Sequence, residues 1–287
     1  MTTIEPSETQ EQRYETNAMV ASALREAGAL LKAQDASPFR SLAYLKAAST
    51  VEKLGEDISE IAARGMEALD AIPNIGQGIG AAILELLSTG RWSQLDRLRG
   101  GLEPEAAFRS IPGIGPKLAR QIHEHLDVDT LEALETAAHD GRLGKVPGIG
   151  PRRLSIIRNA LSGILSRYQR GRRYYPDPSP PPVDLLLSVD DEYRAKAEAG
   201  KLRQIAPSRF NPEGKAWLPV LHTERGPWHF TALYSNTARA HELGKTDDWV
   251  IIFSSSDHQP EGQYTVVTET SGRNKGKRVV RGRENEQ

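Results

Sequence analysis

The 287-residue chain contains no cysteine, which excludes disulfides, thiolate metal sites and cysteine nucleophiles together. No stretch approaches the ~18 consecutive apolar residues of a membrane span, and no basic-then-apolar leader opens it. Aromatics make up only 6 % of the residues. Net charge is nearly absent too: 37 Lys and Arg against 38 Asp and Glu leave −1. Only the placement of charge can therefore decide whether the partner is a polyanion. The expectation from these absences is a soluble cytoplasmic protein (nucleoid-associated in a bacterium) with no membrane partner.

Charge is placed unevenly. Between Arg142 and Arg173 nine basic residues occur without a single acid: Arg142, Lys145, Arg152, Arg153, Arg158, Arg167, Arg170, Arg172 and Arg173. A second acid-free run holds Arg273, Lys275, Lys277, Arg278, Arg281 and Arg283. Proline and glycine are plentiful, with 18 and 25 copies. Five of the prolines fall within Pro176–Pro182, where they remove backbone donors and stiffen the chain into a linker. Before that linker, Ala, Leu, Glu and Arg recur at helical spacing. After it come short β-type runs at Trp217–His222, His229–Tyr234, Trp249–Phe253, Tyr264–Thr268 and Arg278–Val280.

In the helical half, a helix from Asn17 to Gln34 places Val20, Leu24, Ala27 and Leu31 on one face. A second opens after Ser37-Pro38, proline standing where its missing N–H costs little, and is expected to turn Leu42, Leu45, Ala48 and Val51 inward. A third follows Glu56-Asp57. The stronger signal is internal repetition at an interval of 35–39 residues. Pro73-Asn74-Ile75-Gly76-Gln77-Gly78-Ile79-Gly80 recurs as Pro112-Gly113-Ile114-Gly115-Pro116-Lys117-Leu118-Ala119, and again as Pro147-Gly148-Ile149-Gly150-Pro151-Arg152-Arg153-Leu154. An apolar residue (Ile72, Ile111, Val146) precedes each copy and a helical stretch follows it.

Proline ends the preceding helix and glycine permits backbone angles that a Cβ forbids. The next helix then presents unpaired N–H groups and the positive end of its dipole, which suit a phosphate oxygen. Lys117 and Arg120, then Arg152 and Arg153, add formal charge beside two of those N-termini. The first copy is weaker, with Asn74 replacing a glycine and no charge at Gln77 or Gly78. This is the helix-hairpin-helix DNA-binding motif. Its expected DNA-contacting residues are Gly76, Gly78, Gly113, Gly115, Lys117, Arg120, Gly148, Gly150, Arg152 and Arg153. Such a device grips the backbone and reads no base edge, so binding is expected to be sequence-independent and salt-sensitive.

The helical half as a whole resembles the N-terminal region of family X DNA polymerases. The resemblance rests on Asn17-Ala18-Met19-Val20-Ala21, Pro38-Phe39-Arg40, Ala43-Tyr44-Leu45-Lys46-Ala47-Ala48, the first hairpin followed by Leu86-Leu87-Ser88-Thr89-Gly90, the second hairpin with Thr130-Leu131-Glu132-Ala133-Leu134, and the third. It covers residues 15 to 170. It implies a small lyase-type domain that holds a 5′-phosphate at a gap, followed by a DNA-gripping subdomain. It also implies K+ or Na+ held by hairpin carbonyls, here those of Ile72 and Ile75, Ile111 and Ile114, and Val146 and Ile149. Polymerisation is not expected: it needs a Gly-Ser pair and paired carboxylates on two metal ions. No Gly-Ser dipeptide occurs, and the one Asp-x-Asp, Asp127-Val128-Asp129, reads as a helix cap between hairpins. The position of the family's lyase nucleophile is Ala82, and no lysine lies between Lys53 and Lys117, so an abasic-site lyase would have to use Lys46 or Lys53.

The expected fold is thus multidomain. It comprises a disordered tail (1–14), a helical lyase-like domain with the first hairpin (15–95), a tandem helix-hairpin-helix domain (96–175), the linker (176–182), and a small α+β domain with an antiparallel sheet (183–287). In the last, an apolar run Val183–Val189 precedes Asp190-Asp191, read as the cap of a helix through Ala199 and ended by Gly200. Gly226-Pro227 makes a hairpin of the next two runs, and Ser235 or Asn236 caps a helix to Leu243. Candidate catalytic residues here are His222 and His229, placed near one hairpin end to share a metal or phosphate, and Glu213 with Lys215, which have a Glu-x-Lys spacing used by nucleases. The aromatics Trp217, Trp228, Phe230, Tyr234, Trp249 and Tyr264 form either a core or, beside the basic run, a surface for single-stranded nucleic acid.

The leading functional expectation is a protein that binds double-stranded, gapped or nicked DNA, or DNA ends, in repair or maintenance. It would need no cofactor for binding and would recruit repair proteins through its last domain. The alternatives are a nuclease using Mg2+ or Mn2+ in that domain and, more weakly, the lyase.

Overall fold

The structure, a computed structural model, describes residues 8–101, 105, 108, 109, 111–126, 128, 131–169, 180–256, 259–270 and 272–286. The acidic cap at Asp127 and Asp129, the end of the first basic run and most of the linker lie outside them. An α-helical N-terminal half is followed by a domain built on a six-stranded antiparallel sheet.

Helix α1 (Glu8–Ala33) begins inside the stretch expected to be disordered. Its first residues, Glu, Thr, Gln, Glu, Gln and Arg, are mostly unbranched chains that lose little rotamer freedom in a helix. Val20, Ala21, Leu24, Ala27 and Leu31 are buried against α2 (Pro38–Glu52), as their spacing requires. Ala48 and Val51 of α2 are buried as expected, but the buried face is rotated away from Leu42. Ser41, Tyr44, Ala47, Ala48 and Val51 point inward, while Leu42 is exposed. Gly28 explains the rotation: an added Cβ there would stand 3.0 Å from the Ser41 carbonyl oxygen and from Leu45. The two backbones close at that point, and Ser41 Oγ donates to the Gly28 carbonyl at 2.8 Å. Tyr44 then reaches Trp92, with ring centroids 5.5 Å apart.

Asp57 caps the short α3 (Ile58–Ala63) through Ser59 N–H, and α4 (Met66–Asp70) leads into the first hairpin. Helix α5 (Gln77–Thr89) leaves that hairpin, and α6 (Ser93–Leu98) closes this core. A second core contains Phe108 and joins α7 (Pro116–Leu126), α8 (Leu131–His139) and α9 (Pro151–Gln169), which carry the other two hairpins.

Past the linker the apolar run expected to precede a helix is itself helical. Helix α10 spans Val183–Glu198 with Asp190 inside it. Val183, Leu186, Val189 and Tyr193 recur at steps of three and four and pack on one face of the sheet. Asp190, far from capping anything, accepts two bonds from Arg278, at 2.9 and 2.6 Å. Strands β1 (Arg203–Ile205), β2 (Leu218–Arg225), β3 (Trp228–Tyr234), β4 (Val250–Ser256), β5 (Gln259–Thr268) and β6 (Arg278–Val280) pair in chain order. The β2–β3 turn lies at Gly226-Pro227 as expected. Thr237, one or two residues beyond the expected caps, accepts the Ala240 N–H that opens α11 (Ala238–Glu242).

Alternation splits the sheet cleanly. Leu221, Phe230, Ala232, Ile252 and Val266 face α10. Their neighbours Val220, Leu233, Ile251 and Phe253 form a second cluster on the opposite face. That opposite face also carries His222, Thr231 and Glu261, and it docks on the helical half. Arg97 of α6 lies buried there, its guanidinium 3.5 Å from the Phe253 ring centroid and paired with Glu261.

Candidate nucleic-acid interface

The three hairpin corners share one backbone. Ile75 N–H donates to the Ile72 carbonyl, Ile114 to Ile111 and Ile149 to Val146, at 3.0, 3.1 and 3.1 Å. The third residue of each turn has positive φ: Asn74 at 65°, Gly113 at 91° and Gly148 at 88°. Proline second and a left-handed residue third define a type II turn, a place that glycine fills without strain and asparagine tolerates. Asn74 is thus no departure from the repeat. The apolar residues flanking each corner, Ile72 and Ile75, Ile111 and Ile114, Val146 and Ile149, are all buried. They plug the corner into its core.

The residue after each turn opens the next helix. The carbonyls of Gly76, Gly115 and Gly150 accept the first helical bond from Gly80, Ala119 and Leu154, at 2.8, 2.9 and 2.9 Å. The amides between them have no partner in the helix ladder. Here the copies diverge. Gly115, Lys117 and Arg120, and likewise Gly150, Arg152 and Arg153, face solvent. Arg153 folds back to donate to the Gly148 carbonyl. Gln77 and Gly78 are half-covered, and a Cβ on Gly78 would stand 3.8 Å from the Ser256 carbonyl oxygen of β4. The end of β4 therefore comes close to the first turn of α5 at Gly78, while Gly76 keeps open space around it. The second and third corners also touch each other: Gly113 meets Ile156, and Gly148 meets Leu118.

The candidate catalytic residues do not converge. Glu213 and Lys215 pair with each other on the surface at 2.5 Å. His222, Glu224 and His229 share the docking face, but each histidine has its own partner. His229 Nδ1 lies 3.1 Å from Glu224 Oε1. His222 Nε2 lies 3.0 Å from Gln34 Oε1, and its Nδ1 lies 3.0 Å from Thr231 Oγ1. The amide oxygen can only accept, so Nε2 carries the proton and Nδ1 receives one from the threonine. Desolvation, with the charges of Arg40 and Arg97, pushes the imidazole down to about 3, which keeps it neutral. Gln34 Nε2 in turn donates to the Leu98 carbonyl at 2.7 Å, so His222 joins the two halves. Beside it a cleft of about 260 Å³ is lined by Ala36, Ser37, Arg40, His222, Thr223 and Glu224. Among the described residues, no three His, Asp or Glu side chains come together as a metal site. Ala82 is buried in α5, while Lys46 and Lys53 face solvent.

Sequence reasoning missed the joints between the halves. Besides Gln34–His222 and Arg97–Glu261, Ser208 N–H donates to the Gly100 carbonyl at 2.8 Å. Glu105 Oε1 lies 3.1 Å from Arg209 Nη1 and 3.0 Å from His123 Nδ1. Burial pushes the Glu105 carboxyl up, but the His123 hydrogen bond and charge, with Arg209, outweigh it and hold it at about 2. The second basic run is also divided. Arg278 is tied to Asp190 and Asp248, Arg283 to Glu286, and Arg281 lies over the Trp249 ring, leaving Arg273, Lys275 and Lys277 exposed. Phe230 and Trp249 are core, so the aromatics do not form one open surface.

Comparison with known families gives two matches in the helical half. Residues 15–92 match a family described as a helix-hairpin-helix domain, and residues 106–162 match a SAM-like helix-hairpin-helix tandem. A search of curated proteins finds no match. Among the described residues, no helix is long and apolar enough to cross a membrane. The two matches, with the turn bond and left-handed residue that the three corners share, mark the N-terminal half as a helix-hairpin-helix DNA-binding region.

Proposed function

We propose that this protein is a sequence-independent clamp on the DNA backbone, working through its second and third hairpins. The observation that carries the reading is the pair of exposed turns with Lys117, Arg120, Arg152 and Arg153 in solvent beside unpaired helix amides. Amide and cation act on the same phosphate oxygens, and neither senses the base. The first hairpin serves instead as the seat of the sheet domain. In this reading 15–95 and 96–175 are separate helical units and 183–287 braces them.

The resemblance to the N-terminal region of family X polymerases supports an interrupted strand as the target: a gap, a nick or an end. On this reading the protein acts in DNA repair or maintenance in the cytoplasm, with repair proteins as further partners. The missing Gly-Ser pair supports binding without polymerisation. The turn carbonyls of Ile111 and Val146 each spend one lone pair on the turn bond, and Gly115 and Gly150, which follow the two turns, have open space around them. They suit a monovalent cation such as K+ or Na+, which would add positive charge next to the phosphate.

Fluorescence anisotropy with gapped, nicked and intact duplexes tests the proposal. Binding should fall steeply with salt and be indifferent to sequence. Replacing Arg152 and Arg153 by alanine should weaken every duplex alike and flatten the salt dependence by about one unit of slope per contact. Salt-insensitive binding, or cleavage of the DNA when Mg2+ or Mn2+ is added, would overturn it.

A further inference from the structure

The loop between β1 and β2 holds an aromatic ring out in water on a backbone that resists it. Phe210 is 53 % exposed and has φ of 52°, a region bulky side chains rarely enter. Such strain persists only where the surroundings over-determine the conformation, and here they do. Asn236 Nδ2 donates to the Arg209 carbonyl at 2.9 Å. Asn211 Nδ2 donates to the carbonyls of Pro207 and Lys215 at 2.9 and 2.8 Å, and Asn211 Oδ1 accepts from Lys215 N–H at 3.1 Å. On one side the ring meets His241, with centroids 4.3 Å apart. The Arg209 guanidinium stands 5.8 Å from its centroid. Hydrophobic burial does not account for a ring half in water.

The loop is tied to α7, the helix that leaves the second hairpin, through Glu105 and the buried His123. Arg209 bonds Glu105, which also contacts His123 on α7. His123 follows Arg120 by one turn and Lys117 by two, and residues three apart neighbour one another on a helix. Lys117 and His123 are separated by roughly 9 Å of helix rise, equivalent to about three stacked nucleotides at 3.4 Å each. An aromatic face next to a guanidinium suits the flat face of a base, and this contact tolerates any sequence. We infer that Phe210, flanked by Arg209 and His241, is a stacking platform for one unpaired nucleobase of a DNA held at the second hairpin. The inference rests on the proposed backbone clamp and deepens it: the ring would give the clamp its preference for interrupted DNA.

The test uses the full chain, a blunt duplex and the same duplex with a short single-stranded overhang carrying 2-aminopurine. Phe210→Gly removes the ring and relieves the positive φ, so the fold is kept; Phe210→Trp retains a platform. Expected is an unchanged blunt-duplex affinity for Phe210→Gly, with overhang binding weakened about tenfold, the scale of one base–aromatic stack. Quenching of 2-aminopurine should be lost in Phe210→Gly and kept in Phe210→Trp. Equal loss on both DNAs, or unchanged overhang binding and quenching, would sink the platform and leave Phe210 as a protein-docking residue. Quenching without blunt-duplex binding would instead remove the hairpin clamp and keep the platform.

Discussion

The first hairpin and the other two are the same turn put to different uses. All three bury their apolar flanks, close the same bond and place a left-handed residue at the same point. They differ in what stands outside the corner. Lys117, Arg120, Arg152 and Arg153 surround two of them, whereas Gln77 and Gly78 lie under the end of β4. The turn is therefore first a device for packing two helices at a fixed angle. On the proposed reading it becomes an anion site only where its amides stay open and cations gather beside them.

The largest effect should come from emptying the two open corners of charge. Converting Lys117, Arg120, Arg152 and Arg153 to alanine together should reduce duplex binding below detection at physiological salt. Non-specific affinities start at roughly 10⁻⁴ to 10⁻⁶ M and are almost wholly electrostatic. The mirror experiment, Gln77→Lys, should add little, because Gln77 is half-covered and the neighbouring Gly78 packs near the Ser256 carbonyl oxygen of β4. A gain equal to the loss of one open-corner lysine would show that the covering is not real.

Next in size is the joint that holds the covering in place. Arg97→Ala leaves Glu261 without its guanidinium, and breaking one side of a buried ion pair costs about 3–5 kcal/mol. The lower end applies, since Glu261 keeps 19 % of its side-chain exposure. Amide exchange should speed up at Gln77–Gly80 while the 113–119 corner stays as it was. Equal acceleration at both would mean that Arg97 supports the helical core and not the docking.

A subtler test of the same joint uses pH. Glu85 accepts from the N–H and Oγ of Ser93, but desolvation pushes its carboxyl up to about 7. An acid raised on folding binds more protons in the folded state, so its contribution is lost as pH rises from 4.5 towards 7. His222 runs the other way. Lowered to about 3 from 6.5, it takes a proton more readily when unfolded, so stability rises with pH between those values and is full above 6.5. Between 4.5 and 6.5 the two slopes oppose. Glu85→Gln keeps an acceptor for Ser93 and removes only the falling slope. Its melting temperature should therefore climb up to pH 6.5 and stay several degrees above the parent at pH 8. Parallel curves for the two proteins would refute the raised carboxyl.

How far the sequence could be read follows from how local each feature is. The turns were legible because a type II corner is decided by four adjacent residues, and the β2–β3 hairpin because Gly226-Pro227 sits between two alternating runs. Helix α10 was half legible: Val183–Val189 is apolar at both period two and period three, and only packing on the sheet chooses. The inward face of α2 was legible at Ala48 and Val51 but not at its start, because leucine outweighs serine in any hydrophobic count, yet Gly28 admits Ser41 and leaves Leu42 outside. Docking was not legible at all. Arg97 and Glu261, or Gln34 and His222, stand far apart in the chain and look like ordinary surface residues. Arg278 reads as part of a basic patch, although two aspartates neutralise it in the core of its domain.

The smallest expected effect isolates the turn from everything around it. At Asn74 the φ of 65° suits glycine and is tolerated by asparagine, whose amide also donates to Thr50 Oγ1 at 3.1 Å. Asn74→Gly removes the Cβ penalty and that exposed bond together, so stability should move by only about 0.5 kcal/mol. Asn74→Val places a branched Cβ in the left-handed region and should cost about 1–2 kcal/mol or slightly more. Because this corner has no cation beside its helix amides, neither change should alter DNA affinity. The corresponding Gly148→Val should lose both stability and binding. If Asn74→Val also weakened DNA binding while the chain stayed folded, the first corner would be in contact with the backbone after all, and the division of labour among the three hairpins would have to be redrawn.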